Sequence, residues 1–209
     1  TADWYRVDTR TGERALLAEA AEFGVVSRFE AARVPLYDDD RWSVVDLETL
    51  ERRPLADGRS FTRSLEDYDY PGPRPHWGVG AWIDDGARVL LYDELDVWVA
   101  DLATGGAERL TRGAEEGRRY RVVNLDPDRP FGPATLEADD DVWLSVFDPV
   151  TKASGYAVTR LDGAPDVRLL EDARVAGLTL AADADRAALR MERWDDSPDV
   201  FIGDGDLDD

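Results

Sequence analysis

The sequence has no cysteine, which excludes disulfides, a thiolate nucleophile and cysteine-ligated metal while leaving the redox compartment open. It has one lysine, Lys152, so the rest of its 25 basic residues are arginine. A GC-rich genome or a salt-adapted acidic surface would each produce that bias. Positive charge is scarce altogether: 46 Asp and Glu stand against 25 Lys and Arg, a formal net charge of −21. Direct nucleic-acid binding and attachment to an anionic membrane are disfavoured, because both need clustered cations over phosphates. No stretch approaches the ~20 apolar residues of a transmembrane helix, and no basic-then-apolar leader opens the sequence. What the chain does have is apolar mass. Hydrophobic residues make up 43% of it, with seven Trp among them, too much for disorder despite the charge.

One pattern recurs. Asp3-Trp4-Tyr5-Arg6-Val7-Asp8 leads through Thr11-Gly12 to Arg14-Ala15-Leu16, and Asp96-Val97-Trp98-Val99-Ala100-Asp101 leads through Thr104-Gly105 to Arg109-Leu110. A third copy runs from Arg41-Trp42-Ser43-Val44-Val45-Asp46 through Thr49 to Arg53-Pro54-Leu55. Looser copies lie at Tyr156 to Asp162 and at Asp199-Val200-Phe201-Ile202-Gly203-Asp204. Each reads as strand, turn, strand. The closing aspartates recur at roughly 40 to 60 residues, near the spacing of propeller blades.

The clearest unit adds two earlier strands, Trp77 to Trp82 and Arg88 to Tyr92, joined by Asp84-Asp85-Gly86. Four short strands with Asp/Gly turns predict an antiparallel meander, whose nearly all-apolar second strand suits burial between neighbouring blades. The same order is expected at Tyr120 to Leu125, Val142 to Phe147, Tyr156 to Leu161 and Val167 to Leu170, with a long Asp126 to Asp141 connection. Asp57 to Pro75, rich in Pro, Gly, Tyr and Asp, reads as a surface insertion. Ala15 to Phe23 is the one brief helix-like stretch and is read as a final strand plus loop. The prediction is an all-β, single-domain propeller segment over 1–209. Its blades fall at 3–18 (partial), 24–58, 76–112, 119–171 and 174–204 (partial), and the whole is an open arc or a strained small ring.

Three strings carry a resemblance to a family: Tyr92-Asp93-Glu94-Leu95-Asp96-Val97-Trp98, Arg118 to Pro127, and Phe147-Asp148-Pro149-Val150-Thr151-Lys152-Ala153-Ser154-Gly155-Tyr156. In these the chain resembles the β-propeller of bacterial prolyl oligopeptidase-like serine peptidases, over essentially its whole length. The resemblance implies an N-terminal propeller that covers a C-terminal α/β-hydrolase domain, restricts access to short peptides and meets the peptide substrate only transiently. It also implies export, hence a periplasmic or extracellular location. The chain departs from that family in lacking catalytic parts. None of Ser27, Ser43, Ser60, Ser64, Ser145, Ser154 or Ser197 stands in Gly-x-Ser-x-Gly. The sole histidine, His76, sits between Pro75 and Trp77 at a loop-to-strand entry and reads as a loop residue rather than a triad base.

Other chemistry meets bland readings. The acidic runs Asp38-Asp39-Asp40, Asp139-Asp140-Asp141, Asp195-Asp196 and Asp204 to Asp209 lack the Gly and distal Glu of a calcium loop and fit turns, where Asp bonds its own backbone. Trp4, Trp42 and Trp98 occupy equivalent strand positions, as packing demands; sugar stacking is the competing reading. If an aromatic patch acts, it is Tyr68, Tyr70, His76 and Trp77. No catalytic, metal or cofactor residue is assigned and no cofactor is expected. The expected function is therefore a non-catalytic gate and scaffold for a hydrolase domain, with a stand-alone propeller that binds a protein, peptide or glycan as the alternative. Self-association through open blade edges is a further expectation, since the first unit offers strands three and four and the last offers one to three.

Overall fold

A computed structural model of the chain describes residues 2–21, 23–24, 32–61, 70–71 and 74–207. The fold is all-β, made of small antiparallel meanders. A hairpin of β1 (Ala2–Val7) and β2 (Arg14–Ala21) comes first. Then follow β3 (Phe23–Gly24), β4 (Arg33–Asp38), β5 (Arg41–Asp46) and β6 (Arg52–Pro54) in one sheet. The next meander holds β7 (Val79–Ile83), β8 (Arg88–Tyr92), β9 (Val97–Asp101) and β10 (Ala107–Arg109). After β11 (Arg119–Val122) the long connection carries a short strand, β12 (Ala134–Leu136), and β13 (Val142–Phe147), β14 (Ser154–Thr159) and β15 (Asp166–Glu171) complete β11's sheet. A three-stranded sheet of β16 (Arg174–Leu180), β17 (Ala187–Arg193) and β18 (Asp196–Gly203) closes the order. Three four-strand meanders thus lie between a two-strand and a three-strand piece. The helix-like Ala15 to Phe23 stretch is strand β2 through Ala21. Of the expected Asp57 to Pro75 insertion, residues 62–69 and 72–73 lie outside the described residues.

Four of the hairpins share one turn. At Asp8, Asp46, Asp101 and Asp148 the carboxylate Oδ1 accepts the backbone N–H groups two and three residues on, at 2.7–3.2 Å. The threonine at the third position then accepts, through its hydroxyl, the N–H two residues further along. Each aspartate's own N–H closes the ladder onto the residue five ahead, at 2.9–3.0 Å. The fourth position is left-handed in every copy: Gly12, Leu50, Gly105 and Lys152 have φ of 75°, 63°, 82° and 68°. Side chains thus take over backbone donors that the turn would otherwise leave unpaired. The first three copies join third and fourth strands, as the repeat predicts. The fourth joins β13 to β14, second to third, while Asp162, read from sequence as a closing aspartate, is exposed beside a different turn in which Gly163 N–H donates to Arg160 O.

By its contacts the chain divides into two compact units, residues 1–94 with 98–108, and residues 95–97 with 109–209. In the first, β4 and β5 are buried on both faces, so their apolar runs are continuous rather than alternating. The pleat sorts them. Val34, Leu36 and Val45 pack with Ala18 and Ala21 of β2, whereas Tyr37, Trp42 and Val44 pack with Leu55, Phe61, Trp82, Leu91 and Trp98. Each such fully buried aliphatic or aromatic side chain contributes ~1.5–3 kcal/mol. The second layer also holds a polar clip: Arg53 donates to Leu102 O at 2.7 Å and to Ala103 O, and Ala56 N–H to Gly105 O at 2.8 Å.

In the other unit Tyr156, Trp143 and Leu169 meet Val175, Leu178, Ala187 and Leu189. Leu178 N–H donates to the Tyr156 hydroxyl at 3.1 Å. The Ser154 hydroxyl donates to Ala173 O at 2.9 Å and accepts Val175 N–H at 2.7 Å. A Cβ on Gly155 would lie 1.8 Å from Leu169 O, so only glycine fits there.

Gly12 and Gly105 occupy the same turn position with near-equal φ, but a Cβ meets nothing within 4 Å at Gly12 and lies 2.9 Å from Pro54 O at Gly105. Gly12→Ala should cost about 1 kcal/mol, the left-handed strain alone, and Gly105→Ala clearly more in urea unfolding. Equal costs would refute the close approach. The turn carboxylates give a second expectation. Backbone N–H groups of Thr49 and Glu48 hold Asp46 below its usual value, and those of Thr151 and Val150 do the same for Asp148. At Asp101 partial burial pushes upward, but the Thr104 and Ala103 hydrogen bonds outweigh it and the net direction is down. A carboxylate more acidic folded than unfolded contributes fully above the unfolded value near ~4 and loses that contribution as pH falls through the folded value. The melting temperature should therefore hold from about pH 7 to 5 and drop below about pH 4, less steeply in Asp46→Asn. A flat profile across that window would contradict the capped turns.

Candidate functional site

Of the patch singled out from sequence, Tyr68 lies outside the described residues and Tyr70 is exposed. His76 is half-buried against two rings, with centroids 5.1 Å from Tyr37 and 4.8 Å from Trp42. Trp77 is half-buried, and its N–H donates to Phe61 O at 3.3 Å. The Tyr37 hydroxyl reaches Arg74 O at 3.4 Å. His76 and Trp77 thus take part in packing the entry to β7, and the imidazole's surroundings are aromatic. Three serine hydroxyls work within the sheets: Ser43 donates to Leu36 O, Ser145 to Arg121 O and Ser154 to Ala173 O. Ser60 and Ser197 are exposed, and Ser27 and Ser64 lie outside the described residues.

Sequence reasoning passed over a buried carboxylate. Asp96, immediately before β9, is 1% exposed. Its Oδ1 accepts the Thr111 hydroxyl at 2.7 Å and the Gly113 N–H, and its Oδ2 faces Ala114 N–H at 3.4 Å and Arg109 at 3.5 Å. Thr111 in turn accepts Val97 N–H at 2.9 Å. The donors come from a short helix, α1 (Gly113–Glu116), and from the chain leading into it. A Cβ at Gly113 would fall 2.2 Å from Arg118 O and 2.8 Å from Leu95 O. Arg109 also pairs with Glu115, whose carboxyl that bond holds below its usual range. Nearby, burial first and then Glu116 push the Tyr120 hydroxyl up to about 12. It stays a neutral donor to Glu116 at physiological pH. Every group in this corner is matched to a partner within the chain, which is the mark of a structural clasp. An aspartate starting a strand is the only sequence signal for it, and turn aspartates share that signal.

A surface cleft of about 470 Å³ lies in the same unit, lined by Lys152, Asp172, Arg174, Glu192, Arg193 and Trp194. Three cations gather here in a chain of net charge −21. They are engaged within the protein: Lys152 donates to Pro149 O at 2.6 Å, Arg174 pairs with Glu192, and Arg193 donates to Asp172 O at 3.1 Å. Trp194, in the turn between β17 and β18, is 97% exposed. It falls off the repeat positions of Trp4, Trp42 and Trp98, and that displacement is the clue the sequence held. Among the described residues, no three His, Asp or Glu side chains converge to hold a metal ion, and no helix is long and apolar enough to cross a membrane.

No protein-family model matches the chain, and no curated protein does. Among solved structures it is similar to a TolB-type protein from Agrobacterium tumefaciens, at 13% identity over 97% of this chain and 84% of that one, with a TM-score of 0.39. Dipeptidyl peptidase 4 of Porphyromonas gingivalis is similar at 11% identity over 97% of this chain and 34% of its own length, TM-score 0.49. Acylaminoacyl peptidase of Pyrococcus horikoshii is similar at 13% over 96% and 40%, TM-score 0.36. The chain therefore spans well under half of either peptidase.

Asp96→Ala removes the shared acceptor of Thr111, Gly113, Ala114 and Arg109 and should cost about 3 kcal/mol, the scale of stranding buried donors and a charge. Asp96→Asn, which keeps a carbonyl oxygen, should cost visibly less. Denaturant unfolding with amide exchange at Gly113 checks both; equal and small losses would dismiss the clasp.

Proposed function

We propose that the chain is a non-catalytic β-propeller segment of a prolyl oligopeptidase-like serine peptidase, gating peptide access to an α/β-hydrolase domain and scaffolding it. The observation that carries the reading is the four-strand meander with its short capped turns, in a chain whose Ser43, Ser145 and Ser154 hydroxyls bond sheet carbonyls. His76, the only histidine, stacks on Tyr37 and Trp42. The three family-like strings support it from sequence. In the longest, Asp148 and Thr151 cap a turn, Ser154 and Tyr156 bond the next sheet, and Gly155 admits Leu169 O. These are scaffold roles, and such a segment performs its function through shape and rigidity rather than through a reacting atom.

A second reading, a stand-alone module that binds a protein, peptide or glycan, is favoured by a different observation: Trp194 and the apolar residues of β18 stand exposed on the last sheet. The scaffold reading expects residues 1–209 to leave proline-containing chromogenic peptides uncleaved. It also expects the reading frame beyond Asp209 to encode Gly-x-Ser-x-Gly after a strand, with Asp and His downstream. Turnover by residues 1–209 that a single Ser substitution abolishes would overturn it, as would an encoded neighbour with no hydrolase motif.

A further inference from the structure

Trp194 stands apart from the other tryptophans. Trp42 and Trp98 are 1% and 9% exposed, whereas Trp194, in the turn between β17 and β18, is 97% exposed. The exposure belongs to the position. Tips of the other second-to-third-strand turns, Asp39, Glu94 and Val150, are exposed as well, each with a further sheet following it in the chain. What differs is the residue: an indole at such a tip adds nothing to the core.

The cleft of about 470 Å³ beside it lies wholly within the second unit. It is built from the turn at Lys152, the link from β15 to β16 at Asp172 and Arg174, and the end of β17 at Glu192 and Arg193. Its volume falls in the range of ~300–1,000 Å³ typical of small-molecule sites. The charged groups keep hydrogen-bonding capacity to spare. Their bonds within the protein use one of the three protons on the Lys152 ammonium, one terminal nitrogen of Arg174 and the Nε of Arg193. Among the described residues the terminal nitrogens of Arg193 donate to nothing and the Asp172 carboxylate accepts nothing. Donors and an acceptor thus stand open around one exposed ring.

That mixture selects the ligand. A cation would meet Lys152, Arg174 and Arg193. An anion would approach a chain of net charge −21 and then face Asp172 and Glu192. A peptide draws its affinity from side chains in desolvated apolar pockets, and besides the indole the cleft offers only Ala173, itself 6% exposed. The complement is neutral, with hydroxyls that each donate and accept, and with an apolar C–H face to cover an aromatic ring.

We propose that the Trp194 cleft binds a neutral saccharide, one pyranose face stacked on the indole and its hydroxyls shared between Asp172 and Arg193. The proposal gives the binding reading of the chain a site and a ligand class, and it rests on that reading rather than on the peptidase scaffold.

The probes are cellohexaose, maltohexaose and chitohexaose, each titrated into the chain by isothermal titration calorimetry up to millimolar concentration. At least one should bind saturably at a single site, with an affinity indifferent to salt because the ligand carries no charge. Trp194→Ala should weaken it about tenfold or more, Trp194→Tyr should retain most of it by keeping a ring, and Asp172→Ala should weaken it severalfold. Should circular dichroism show Trp194→Ala misfolded, the other two variants carry the test. Binding of none of the three, or an affinity indifferent to residue 194, would overturn the proposal. Tighter binding of hexagalacturonate or of a neutral proline-containing peptide at Trp194 would overturn it too, and the peptide result would leave a binding module while removing its sugar.

Discussion

Four hairpins of this fold rest on a short hydrogen-bonded turn in which an aspartate carboxylate and a threonine hydroxyl cap the backbone of the hairpin they close. A strand of two-residue period has no tolerance for slippage, because a shift of one residue turns its apolar side chains outward. The turn at Asp8, Asp46, Asp101 and Asp148 fixes the register of its hairpin through local bonds, since all its partners lie within five residues. Once register is set, Trp42 and Val44 face one layer and Val45 the other. The acidity of the chain follows in part from this device: every copy adds a carboxylate at the solvent edge of a hairpin.

Burial then depends on neighbours rather than on the strand itself. The β4–β5 pair is sheathed on both faces, and no polar residue interrupts Val34 to Tyr37. Asp96 and Asp199 open near-identical hexapeptides, yet one carboxylate is enclosed by Thr111, Gly113 and Arg109 while the other is exposed. The enclosure of Asp96 comes from donors of α1 and the chain leading into it, with Arg109 of β10 beside them. Buried carboxylates survive only where donors converge on them, so the segment that supplies the donors decides whether the aspartate is a clasp or a surface charge.

The functional reading follows the same logic. His76 and Trp77, which a sequence reader gathers with Tyr70 into an aromatic patch, take part in the packing at the entry to β7, while the exposed tryptophan, Trp194, lies in a turn of the last sheet. The family-like string from Phe147 to Tyr156 is a capped turn followed by a tightly packed strand. It is a way of building hairpins.

Much of the architecture was legible in the chain alone. Apolar alternation, Asp/Gly turns and the recurring Asp-x-Trp or Asp-Val-aromatic pattern located the strands and their meander order, because period, turn chemistry and hairpin closure act over a few residues. Even there, the closing role assigned to Asp162 belongs to Asp148, which carries the capping threonine three residues on, Thr151, where Asp162 is followed at that position by Pro165. The candidate sites were far less legible. Asp96 meets donors up to 18 residues away, and the cleft at Trp194 draws on Lys152, Asp172 and Arg174. The sequence determined that this protein is a set of short capped meanders. Tertiary structure alone decided which aspartates are buried, because burial is a property of the surfaces brought together and has no local code.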